Sequence, residues 1–243
     1  MRILDCETID TTYESLEAIL RLSRKYLSLL FDSLSPDDLA DQHPENQSQG
    51  FLSFIQAQAG CQVDFDATCW FHCTRTWEQD FEEGLLPHSL IEERVWDFLY
   101  ELADDRPTQK KWEEMKESAR RSELYAYRLQ SEDGPFGLLI RESAIAVAGD
   151  YGWNYFDLPE LVDNICRVLD LHDVRLRERY RAHTRPTIVK FRTSCHRRDE
   201  LAMASFYAYR RHHRLDISWA CNLCYDAKGQ VVPKDHILSV QQV

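Results

Sequence analysis

The sequence predicts an α+β fold, a helical N-terminal arm followed by a mixed, split β-sheet core. Three observations predict it. Up to about residue 59 the apolar residues recur mostly at helical spacing. Beyond that point, short β-branched or aromatic runs alternate with helical ones. The clearest of these runs, Cys69-Trp70-Phe71-His72-Cys73-Thr74, is aromatic, short and β-favouring. The expected division is an arm over residues 1–60 and an α+β domain over residues 61–243.

In the arm, Leu16, Ile19, Leu20, Leu22, Leu27, Leu29 and Leu30 predict one long helix over residues 11–34. Pro36 in Ser33-Leu34-Ser35-Pro36 is its breaker. The polar stretch 37–50, with Pro44 and Gly50, reads as a loop or linker, and the apolar stretch Phe51–Ala59 follows it.

After the Cys69–Thr74 strand, Thr76 and Gln79 form a capping-box pattern, and Trp77 and Phe81 share a face four residues apart. Gly84 can end a helix in the left-handed conformation, with Leu85 folding back on the last turn. These residues predict strand, short helix, stop. Ser89 and Glu92 repeat the capping-box pattern, and Ile91, Val95, Phe98, Leu99 and Leu102 predict a helix over residues 90–103. Beyond Pro107 a polar helix is expected at about 109–122, with Trp112 and Met115 on one side.

Leu124–Leu129 alternates weakly and reads as a strand. Asp133-Gly134-Pro135 is a turn before a buried strand at Phe136–Ile140, and Glu142–Ala148 is a short helix. Pro159 opens another helix, Thr187–Arg192 is a strand, and Asp199 opens a helix to about Arg214. Leu215–Tyr225 and Ile237–Val243 read as closing strands.

Phe71-His72-Cys73-Thr74, followed by Glu83-Gly84-Leu85, resembles the first motif of the ADP-ribosyltransferase superfamily, the poly(ADP-ribose) polymerase and diphtheria-toxin-like histidine motif. It covers about nineteen residues, with Cys73 where the family usually has glycine. The resemblance implies an NAD co-substrate. His72 would lie under its nicotinamide-side ribose, with Thr74 and Arg75 just beyond. Phe136, before the small residues Ser143-Ala144-Ile145-Ala146, is similar in layout to the family's second motif and would stack on nicotinamide. Transfer requires a carboxylate that holds the ribose hydroxyl and stabilises an oxocarbenium-like state. Glu160 at a helix start and Asp216 at a late strand are the first candidates, ahead of Glu142.

The resemblance further implies a toxin or defence effector acting on a protein or nucleic-acid target, with an inhibitor protein as a second partner. The rival readings are a non-catalytic interaction module and a zinc site. Cys221-Asn222-Leu223-Cys224 has thiolate-pair spacing, and Cys195-His196, His212-His213 or Cys69 and Cys73 would complete the site. A Cys–His hydrolase built on Cys73 is a third reading.

Net charge is −12. Residues 1–120 carry 11 Lys and Arg against 25 Asp and Glu, and residues 121–243 carry 18 against 16. The acidic half argues against whole-surface nucleic-acid binding and suits a basic protein partner. The basic run Arg210, Arg211, His212, His213, Arg214 is read as a complement to its helix C-terminus, with phosphate binding as the functional alternative. No apolar run approaches membrane-spanning length, no signal-peptide core opens the chain, and the eight cysteines lack a small secreted context. A soluble, cytoplasmic protein with reduced thiols is expected.

Overall fold

A computed structural model describes residues 1–34, 44–60, 65–77, 81–104, 106–130, 133–146, 154–172, 174–194, 198–217 and 222–243. The described elements are β1 (Ile3–Leu4), α1 (Ile9–Leu20), α2 (Arg24–Asp32), α3 (Pro44–Ala59), β2 (Ala67–Thr76), α4 (His88–Leu102), α5 (Gln109–Arg120), α6 (Glu123–Gln130) and β3 (Phe136–Leu138). There follow α7 (Arg141–Ala146), α8 (Glu160–Asp170), α9 (Arg177–His183), β4 (Arg185–Thr193), α10 (Arg198–His212), β5 (Cys224–Asp226) and β6 (Ile237–Gln242). The fold is α+β. Its six-stranded sheet runs in the order β5-β3-β2-β4-β6, with β1 on β2. β1 and β2 are parallel, Ile3 opposite Ala67, while β2 and β3 are antiparallel, Phe71 opposite Leu138.

The chain forms two compact units, each assembled from three separate segments. The first comprises Met1–Phe71, Gly137–Gly152 and Lys190–Tyr225. In it α10 packs on α1, α2 and α3. Phe51 meets Phe31 at 5.5 Å and Tyr209 at 4.9 Å between ring centroids. Lys190 Nζ bridges the carboxylates of Asp5 and Glu7 at 2.6 and 2.7 Å, tying β4 to the residues after β1. Gly137 is needed here because a Cβ would stand 2.8 Å from both Trp70 and Phe191.

The second unit comprises His72–Phe136, Trp153–Val189 and Asp226–Val243. Its core lies among α4, α5, α6, α8 and α9, around Trp96, Trp112, Tyr125, Ile165 and Tyr180. A buried polar chain runs through it. Trp96 Nε1 donates to the Tyr125 hydroxyl at 2.8 Å, and that hydroxyl donates to Glu92 at 2.8 Å. Arg120 closes the chain by donating to Glu92 at 3.1 Å, so a carboxylate inside the core is neutralised and hydrogen-bonded.

Several sequence expectations need correction. The helix expected over 11–34 is two helices. Arg21 takes a left-handed φ of 56°, and the Ser23 hydroxyl accepts from Tyr26 N at 3.3 Å, capping α2. The break leaves Leu29 57% exposed instead of on a continuous apolar stripe. Ser89 and Glu92 are not a capping box, because α4 starts after Pro87. Ser89 instead bonds to Asp133, and Glu92 serves the buried chain. Leu124–Leu129 is helical: Ala126 N donates to Ser122 O at 2.9 Å, Tyr125 is buried and Leu129 packs on the same core. Residues 215–217 are not strand, and β5 is confined to Cys224–Asp226. The helix α9 was not anticipated.

Gln79 of the Thr76–Gln79 pattern lies outside the described residues, as do 37–43 of the loop expected over 37–50; the rest of that loop, 44–50, is instead the first half of α3. Phe81–Gly84 is a turn and not the end of a helix, with Gly84 N donating to Phe81 O at 2.8 Å. Leu85 exchanges backbone bonds of 2.9 and 3.0 Å with Val232 instead of folding back. Among the described residues, no helix is long and apolar enough to cross a membrane.

Candidate functional site

In the second unit, the end of β2 and the chain leaving it wall a cleft of about 300 Å³. Its lining includes His72, Thr74, Arg75, Trp77, Gly84 and Arg94. β2 delivers the first three, Arg75 among them because the strand runs two residues beyond the expected one, to Thr76. α4 delivers Arg94, which pairs with Glu83 across the cleft wall.

His72 Nδ1 lies 2.8 Å from the Phe136 carbonyl. A carbonyl only accepts, so Nδ1 carries the proton and Nε2 retains a lone pair. Burial pushes the imidazole pKa down to about 4; the Phe136 carbonyl opposes this and neighbouring His88 adds to it. His72 is therefore a neutral ring of fixed tautomer on the cleft wall. His88, itself shifted down by burial, feels Asp133, Glu160 and Arg128.

The remaining sequence candidates fall unequally. Thr74 lines the cleft, its hydroxyl making a long 3.4 Å contact to the Arg75 carbonyl. Arg75 also lines it, but its guanidinium is committed to the protein. Nε donates to Thr184 Oγ1 at 2.9 Å, Nη1 to Phe156 O at 2.6 Å, and Nη2 to Arg181 O and Thr184 O at 2.7 and 2.9 Å. It is a clamp from β2 to the end of α9. Phe136 stands beside His88, ring centroids 6.4 Å apart, and not on the cleft wall; its part is the carbonyl that fixes His72.

Glu160 opens α8 and pairs with Arg128 at 3.0 Å, the carboxylate 16% exposed. It belongs to the same unit as His72. Asp216 and Glu142 belong to the other unit. The Asp216 side chain is exposed, and its carbonyl accepts from Arg210 Nε and Nη2 at 2.9 and 2.5 Å. Glu142 accepts from Tyr207 at 2.7 Å and pairs with Arg211. With His212 on Asp32 at 2.7 Å and His213 on the Phe31 carbonyl at 3.1 Å, much of the basic end of α10 is held by its own unit.

For the zinc reading, Cys221 and Cys195-His196 lie outside the described residues. Cys224 is exposed, while Cys69 and Cys73 are buried, the Cys69 thiol pushed up to about 12 by burial. No group of three or more His, Cys, Asp or Glu is placed to hold a metal among the described residues.

Sequence reasoning missed Arg94 and the stack of Trp77 on Phe98, centroids 4.3 Å apart and planes at 12°. The signal lay in α4, where Ile91, Arg94 and Phe98 follow one another at three- and four-residue spacing. No family model, curated protein or solved structure matches the chain.

Proposed function

We propose that the cleft beside His72 holds the nicotinamide-ribose half of NAD and that the chain is an NAD-dependent ADP-ribosyltransferase acting on a macromolecule. The observation that carries this reading is the neutral, tautomer-fixed His72 on the cleft wall. Its Nε2 can accept from a ribose hydroxyl. Trp77 and Phe81 on the same wall offer apolar faces to the carboxamide ring, and the cleft volume is at the small end of the ~300–1,000 Å³ usual for ligand sites.

Among the acids we assign charge stabilisation to Glu160. It shares a unit with His72 and is held in place by Arg128, although it stands outside the cleft lining itself, whereas Asp216 is an exposed side chain of the other unit. Breaking the ribose–nicotinamide bond leaves positive charge on the ribose, and a carboxylate that meets that charge lowers the barrier. The toxin or defence role follows from the same reading.

A non-catalytic module is the second reading. One observation favours it: Arg75, expected at the co-substrate, gives its donors to Thr184 and to the backbone carbonyls of residues 156, 181 and 184.

Labelled NAD with cell extract separates the two. Nicotinamide release and label on a macromolecule are expected. His72→Ala should weaken NAD binding without unfolding the chain, and Glu160→Gln should abolish transfer while Asp216→Asn leaves it largely intact. No NAD turnover, together with no NAD binding by the unaltered chain, leaves the module reading.

A further inference from the structure

A second cleft, of about 610 Å³, adjoins the first in the same unit, sharing Trp77 and Arg94 with it. Trp77, Phe98, Tyr100 and Trp112 supply its aromatic walls, and Asp97 and Glu101 supply carboxylates one helical turn apart on α4. We infer that this cleft binds an extended basic peptide segment bearing arginine or lysine.

Three independent features lead to that occupant. First, the chain already seats a guanidinium beside two of the lining residues: Arg106, itself outside the cleft lining, lies over the Tyr100 ring at 5.7 Å and pairs with Glu101 at 2.5 Å. A cation on an aromatic face beside a carboxylate is the recognition that arginine and lysine side chains use. Second, Asp97 is exposed and makes no hydrogen bond or ion pair among the described residues, whereas Arg94 is paired with Glu83. The acceptor left for an incoming group is thus anionic. Third, Trp112 is 1% exposed, and its indole Nε1 has no hydrogen-bond partner among the described residues. A buried donor of this kind destabilises the fold until something accepts from it.

A peptide carries both complements. Its cationic side chain answers Asp97 and the ring faces, and its backbone carbonyl is the kind of acceptor that the Trp112 N–H lacks. The Gln109 amide on the same wall can pair with peptide groups of either kind. A nucleic-acid strand brings phosphates toward Asp97 and Glu101 and is disfavoured.

Calorimetry in the absence of NAD tests this apart from any transferase activity. The probe is the peptide Gly-Ala-Arg-Ala-Arg-Ala-Gly, with the same peptide carrying glutamine for arginine and a single-stranded oligonucleotide as comparison arms. The arginine peptide should bind at least tenfold more tightly than the glutamine peptide, and more weakly as salt rises. Asp97→Asn, a change at an exposed position, should weaken binding about fivefold. Arg106→Ala removes the resident guanidinium and should tighten it about threefold. Equal binding of the two peptides, preference for the oligonucleotide, or no response to Asp97→Asn overturns the inference. So does weaker binding by Arg106→Ala, which would make that arginine part of the site and not its stand-in.

Discussion

At residue scale, His72 and Gly84 carry the consequences that can be measured. The folded imidazole of His72 titrates near 4, against 6.5 for the ordinary side chain. A base with a depressed folded pKa is protonated first in the unfolded chain. Stability is therefore complete above pH 6.5 and is lost as pH falls from 6.5 toward 4. The difference in pKa sets an upper bound of about 3 kcal/mol, reduced because solvent reaches part of the ring. His72→Gln keeps a donor for the Phe136 carbonyl but does not titrate. Urea midpoints at pH 7, 6 and 5 should fall less steeply for this variant; parallel curves would contradict the assigned shift.

Gly84 has a φ of 86°, and a Cβ would stand 2.1 Å from the Val232 carbonyl oxygen. Gly84→Ala should cost about 2–4 kcal/mol, through left-handed strain and loss of the Leu85–Val232 pairing together. A thermal unfolding midpoint within a degree of the parent would refute this. Legibility also divides at this scale. His72 was readable because a histidine late in a strand, before threonine, has a sequence signature. The Arg75 clamp was not, because its main acceptors are backbone carbonyls at Phe156, Arg181 and Thr184, and every residue type offers a carbonyl.

At the scale of elements, α1 and α2 show how one side chain overrides a stripe of leucines. Ser23 accepts from the first turn of α2, and the break at Arg21–Ser23 turns the second helix so that Leu29 faces out. Ser23→Ala should destabilise the protein by about 1 kcal/mol, read as a shift in urea midpoint with unchanged slope. An unchanged midpoint would mean that packing, and not the cap, sets the break.

The elements that were legible, β2, α4, α5, α8, β4 and α10, combine apolar periodicity with clear boundaries. Leu124–Leu129 was not, since six residues satisfy a two-residue and a 3.6-residue period about equally well. Only the tertiary partners, Glu92 for the Tyr125 hydroxyl and the core for Leu129, decide it. The residue pairs that wall the clefts, such as Trp77 just after β2 on Phe98 of α4, stand twenty-one positions apart, beyond the reach of any local pattern.

At the scale of the whole molecule, the first unit draws its strands and helices from both ends of its sequence. Ile3 and Leu4 pair with Ala67 and Thr68, Lys190 reaches Asp5 and Glu7, and α10 covers α1 and α3. A chain beginning at residue 61 should therefore lose the first unit's core, exposing the apolar face of α10 where Phe206 and Tyr209 lie. Limited proteolysis checks this: a protected fragment retaining α10 would contradict it. The same interleaving acts during synthesis. Phe31 and Phe51 leave the ribosome well before Tyr209, the ring they pack on. At the ~5–20 residues per second of translation, α1–α3 wait roughly ten to thirty seconds for α10. For that interval the nascent chain carries an unpartnered apolar surface, and its yield in the cell depends on what shields that surface until residue 209 emerges.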